Sequence, residues 1–127
     1  MNIITYWTFD LFHIWHLKLL QRAKKLWDYL IVWVSTDEFN KQKGKKCIIP
    51  FKQRIEIVQN ISCVDLVIWE RNREQKTKDI EYFNAQLVMW DDWKGKFDEF
   101  NCIYLPRTPN ISTTLLKQKL NGHNITA

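Results

Sequence analysis

Six consecutive apolar residues, Tyr29-Leu30-Ile31-Val32-Trp33-Val34, constrain the fold of this chain more than any other stretch. A half-exposed strand alternates apolar and polar residues, and a membrane span needs about 20 apolar residues in a row. A short run without alternation is what a central parallel strand shows when both of its faces are covered. Helices supply that cover, and helical patterns flank the run. From Leu17 to Asp28, Leu19, Leu20, Ala23 and Leu26 recur on one face with Lys18, Arg22, Lys24 and Lys25 between them. Pro50 opens a second helical stretch to about Asn60, with Ile55, Ile57, Val58 and Ile61 apolar.

Four further runs read as strands: Ile3 to Tyr6, Val64 to Trp69, Gln86 to Met89 and Cys102 to Leu105. A helix is expected from about Thr77 to Phe83. Ser112 reads as the N-cap of a last helix, Thr113 to Leu120, before a polar, frayed tail. Strands alternating with helices predict an α/β fold, a Rossmann-like doubly wound parallel sheet of about five strands in a single domain. The domain is expected over residues 1–120, with the tail over 121–127. Ligands of such sheets sit beyond the carboxyl ends of the strands. Trp7 to Asp10, Ser35 to Asp37, Trp90 to Trp93 and Arg107 to Thr108 each follow a predicted strand.

Composition narrows the partner. The formal charge is +5, and Lys41, Lys43, Lys45 and Lys46 cluster around Gly44 in what reads as a mobile loop. The phosphate of a small molecule explains that cluster as well as nucleic acid does, and no basic stripe interleaved with aromatics favours the latter. No signal peptide or membrane span is read. Three cysteines without metal-ligand spacing suit free thiols in a reducing cytoplasm.

The densest motif is Thr5-Tyr6-x-Thr8-Phe9-Asp10 followed by His13-x-x-His16, at a strand-to-helix turn. Free backbone N–H groups and the helix dipole hold phosphate at such turns. Near the other end stands Arg107-Thr108-x-x-Ile111-Ser112-Thr113-Thr114. Between the two lie Ser35-Thr36-Asp37-Glu38-Phe39-Asn40, Lys43-x-Lys45-Lys46 and Val88-Met89-x-Asp91-Asp92-Trp93. Five segments in this order and spacing, over nearly the whole chain, resemble the small cytidylyltransferases.

The resemblance implies transfer of CMP from CTP to a small phosphorylated alcohol, glycerol 3-phosphate first, with another such alcohol, ethanolamine or polyol phosphate, as the alternative. It implies His13, His16, Lys43 and Arg107 as catalytic residues. It places Thr8, Phe9, Asp10, Lys45, Asp91, Asp92, Thr108, Ser112 and Thr113 around the nucleotide. Asp10 is expected either to help position the site or a magnesium ion, or to stabilise its own turn. Mg2+ accompanies CTP, with no protein metal ligand assigned. A cytoplasmic homodimer that binds neither nucleic acid nor membrane, and feeds a cell-surface polymer such as teichoic acid or capsule, is also implied.

Departures from the family pattern matter as much. Ser62 stands where the family usually has an arginine, Arg73 where its better-known members have tryptophan, and Asn110 where glycine is frequent. Trp7, Trp15, Trp27, Trp33 and Trp90 fall at positions where the family has small residues, usually glycine. Indoles there are expected to overpack, and any site at positive φ to add backbone strain. Two readings stay open. Trp7 and Trp15 fill the nucleotide pocket of a catalytically impaired homologue, or all five are UGA codons, which some bacterial lineages read as glycine and others as tryptophan.

Overall fold

The structure is a computed structural model and describes residues 2–106. Arg107, Thr108, Ser112, Thr113, the expected helix to Leu120 and the tail over 121–127 lie outside the described residues. The order of elements is β1 (Asn2–Trp7), α1 (Ile14–Leu26), β2 (Tyr29–Ser35), α2 (Asp37–Gln42), α3 (Phe51–Gln59), β3 (Leu66–Glu70), α4 (Glu74–Phe83), β4 (Ala85–Trp90) and β5 (Ile103–Leu105).

All five strands run parallel in the order β3-β2-β1-β4-β5. The chain builds outward from β1 through β2 to β3, then crosses back to lay β4 on the other side of β1. The switch point therefore falls between β1 and β4, where open α/β sheets bind ligands.

The central run behaves as its sequence demands. From Leu30 to Val34, β2 is fully buried, its side chains alternating between two hydrophobic layers. Val32 joins Ile3, Leu19, Leu20, Ala23, Val58 and Val88 beneath α1 and α3. Ile31 and Trp33 join Ile4, Leu87, Met89 and Phe97 on the opposite face, with Ile80 and Phe83 of α4 packed on them.

The sheet accepts two of the unexpected tryptophans whole. Trp33 is fully buried, and its indole N–H donates to Asp79 Oδ2 at 2.8 Å. Trp90 is 1% exposed, edge-on to Trp15, with the Arg22 guanidinium 5.5 Å above its ring. None of the five suspect positions has positive φ, so the expected backbone strain is absent there. It falls instead on Phe9 (φ 56°) and Leu11 (φ 50°), in the turn between β1 and α1.

Candidate active site

A cleft of ≈ 980 Å³ opens at the carboxyl ends of the strands. Trp7 and Trp90 stand on either side of the switch point, and His13 and His16 line the cleft at the start of α1. This helix begins at Ile14, three residues before the apolar period emerges, because the histidines cap it. His13 Nδ1 accepts from the Trp15 amide at 3.2 Å, and His16 Nδ1 accepts from the His13 amide at 3.2 Å. This is a capping box built from two imidazoles. The rings stack with centroids 4.0 Å apart. With Nδ1 accepting in both, the N–H of each neutral ring lies on Nε2. One pair of side chains thus starts the helix and sets the direction of its own donors.

The strained turn before it turns Asp10 inward. Asp10 is 1% exposed and accepts from the amides of Ile48 (2.9 Å) and Ile49 (2.8 Å), at the far end of the lysine loop. Its carboxylate binds that loop to the helix start. Phe9 is assigned to the nucleotide by resemblance, but its ring is 1% exposed, stacked on Phe12 and edge-on to His16. Only its backbone is left to meet a ligand. Asp92 lines the cleft from a short 3₁₀ turn, Asp91–Trp93, whereas Asp91 is exposed and off the lining.

The lysine loop is more tied down than a mobile loop implies. Gly44 and Lys45 donate backbone N–H to Lys41 and Asn40 carbonyls, and Asn40 Nδ2 donates to Cys47 Sγ. Lys43 and Lys45 line the cleft, Lys43 Nζ 4.3 Å from the Phe39 ring and Lys45 Nζ 5.9 Å from Trp93. Burial lowers the Lys43 pKa, and the Glu70 carboxylate opposes the shift.

Three residues carry more of this architecture than the sequence revealed. Arg54 is fully buried; its guanidinium donates to the carbonyls of Thr8, Ser35 and Ile49 and to Asp37 Oδ1. It joins the ends of β1 and β2, α2 and the lysine loop. At the other end of the cleft, Glu70 closes β3, 2% exposed, with Lys76 Nζ at 3.8 Å. Burial raises the Glu70 carboxyl, while Lys76, Lys43 and Lys45 pull it down. Burial also lowers Lys76 to about 8 against the pull of Glu70.

A parallel sheet with a cation-lined cleft of ≈ 980 Å³ at its switch point, and paired imidazoles capping the helix there, is the framework of a nucleotidyltransferase. The chain belongs to the cytidylyltransferase-like family, whose family model matches residues 4–119. It is similar to the glycerol-3-phosphate cytidylyltransferase of Bacillus subtilis (strain 168), 52% identical over 126 residues, covering 95% of this chain and 98% of the relative. The Staphylococcus aureus (strain NCTC 8325 / PS 47) enzyme of the same name is 48% identical over 95% of this chain and 96% of its own. The fold is also that of the lipopolysaccharide core biosynthesis protein from Thermoplasma volcanium GSS1. The TM-score is 0.65 at 20% identity, over 88% of this chain and 98% of that one.

Proposed function

We propose that this chain transfers CMP from CTP to glycerol 3-phosphate, releasing CDP-glycerol and pyrophosphate. The observation that carries the reading is identity of about half the residues, over nearly the full length of both chains, with glycerol-3-phosphate cytidylyltransferases. An oxygen of the acceptor phosphate attacks the α-phosphorus in line. The new P–O bond forms as the bond to the bridging α–β oxygen breaks, and pyrophosphate leaves with that electron pair. Catalysis is then positioning and charge stabilisation.

His13 and His16 donate through Nε2–H to the α- and β-phosphates at the head of α1, where the helix dipole also favours the anion. Lys43 and Lys45 neutralise charge from above. Arg107, Thr108, Ser112 and Thr113 complete the phosphate cradle in this reading, and Asp92 faces the nucleoside. Mg2+ would accompany CTP and offset the charge of its phosphates; no protein side chain is assigned to it, and Asp10 serves the turn by accepting two backbone amides. A homodimer belongs to the same reading, with the edge of β3, uncovered among the described residues, and exposed Trp69 as its place. CDP-glycerol is an activated glycerol phosphate donor, so a transferase building a cell-surface polymer is its consumer.

Trp7 and Trp15 favour a second reading, an impaired homologue, because both line the cleft beside the histidines. Pyrophosphate release from Mg·CTP with glycerol 3-phosphate tests both. The chain as written is compared with one carrying glycine at 7, 15, 27, 33 and 90. The glycine form is expected to turn over faster, and UGA codons at those five positions would explain why. A folded glycine form that is silent with glycerol 3-phosphate overturns the assignment.

A further inference from the structure

Of the four lysine and arginine side chains on α1, one turns inward to a place that the proposed chemistry does not use. Lys18 and Lys25 are exposed, and Lys24 pairs with Asp65. Arg22 is half-buried. Helical side chains lean toward the N-terminus of their helix, so Arg22 reaches up α1 toward the carboxyl ends of the strands. Its guanidinium lies 5.5 Å from the ring centroid of Trp90, the last residue of β4, and its Nη1 donates to the Pro106 carbonyl at 2.7 Å. Trp15, about two turns earlier on the same face, meets the same indole edge-on.

Pro106 is where the sheet lets the chain go. β5 pairs with β4 through Ile103, Tyr104 and Leu105, and a proline brings no N–H to extend the ladder. The next residue is Arg107, the first of the closing motif. A three-residue strand at the border of the sheet fixes its own end weakly. A charge-assisted hydrogen bond from a helix seated in the core by Leu19, Leu20 and Ala23 fixes it more firmly. We propose that Arg22 is a positioning residue for nucleotide capture. It ties the start of the closing motif to the helix that begins with the histidines, so both sets of phosphate donors stand in one frame. Arg22 acts through Arg107 and touches no substrate itself. The inference rests on the reading of the chain as a cytidylyltransferase and adds a residue to which the resemblance assigned no role.

Calorimetric titration of Mg·CTP and of glycerol 3-phosphate into the full chain tests this without turnover. The substitutions are Arg22→Met, Arg22→Lys, Arg107→Ala and the pair Arg22→Met with Arg107→Ala, each checked for an intact melting transition. They are made in whichever of the tryptophan and glycine forms binds CTP more tightly. Arg22→Met is expected to weaken CTP about tenfold, the worth of one charge-assisted hydrogen bond, and to leave glycerol 3-phosphate within about twofold. A purely structural role would lower the melting temperature and weaken both ligands alike. With Arg107→Ala already present, Arg22→Met costs less than about twofold more, because the group it positions is gone. Arg22→Lys keeps the cation, gives a smaller loss and serves should the methionine variant not fold.

Unchanged CTP affinity in both Arg22 variants, an equal loss for glycerol 3-phosphate, or a full loss that persists beside Arg107→Ala overturns the inference. So does failure of both Arg22 variants to fold. A chain that shows the expected coupling yet releases no pyrophosphate with glycerol 3-phosphate, in either the tryptophan or the glycine form, retains the positioning role and overturns the reading of function. Absence of CTP binding in both forms overturns the two together.

Discussion

Arg54 is the side chain on which most of the upper sheet depends. A buried guanidinium is tolerated only when its donors are satisfied, and four acceptors from four segments satisfy this one. Arg54→Met should lower the unfolding free energy in urea by about 3–5 kcal/mol, because three carbonyls lose their donor and Asp37 loses its ion pair, keeping the Phe51 amide. A loss below about 1 kcal/mol would mean water replaces the guanidinium. Sequence reasoning had no means of finding this residue. Between Gln53 and Ile55 on an amphipathic helix, an arginine reads as solvated, and only the tertiary fold supplies its acceptors. Glu70 was hidden for the same reason, at the end of a strand whose burial depends on α4 and the lysine loop. The histidines were legible because their spacing matches a helix start. That they cap the helix themselves was not, since imidazole is not among the preferred N-cap side chains.

Among the elements, the lysine loop owes its place to Asp10. Asp10→Ala removes the acceptor for two amides 38 and 39 residues away. Hydrogen exchange at Ile48 and Ile49 should accelerate by an order of magnitude or more, with β1 and β2 amides unchanged; unaltered exchange would assign the tether to the rest of the loop. The strands were readable because continuous apolar runs mark buried parallel strands, and all five lie where those runs stand. Helix starts were not. The structure begins α1 at Ile14 and α4 at Glu74, each three residues ahead of the apolar period. The first is capped by a histidine; Arg73 before α4 makes no side-chain cap, and the capping bond comes from one residue earlier, where Asn72 Oδ1 accepts the Gln75 amide at 2.9 Å. α2 spans only Asp37–Gln42, too short for a period to show, though its cap Thr36 stood in plain view.

For the molecule as a whole, the buried lysine makes stability depend on alkaline pH. Lys76 titrates at about 8 when folded against an ordinary 10.5. Above pH 8 the unfolded chain holds a proton that the native one has released, so stability rises with pH there. From about pH 9 the half-buried thiol of Cys102, pushed up to about 11, acts in the opposite sense, as Cys63 does. Tyr6, raised by burial and by Glu70, adds to that opposition above pH 10. Urea unfolding should therefore show a rise between pH 8 and 9 of up to about 1 kcal/mol, and Lys76→Met should flatten it. A slope that survives the substitution would assign it to Lys43. The hydrogen-bonded lysine loop has a consequence in time as well. Its cations are in place before any ligand arrives, so capture need not wait for a flap to freeze, and about 0.5–1.5 kcal/mol of ordering cost per side chain is avoided. Association is then set by diffusion and long-range attraction, and added salt should slow arrival more than it hastens departure.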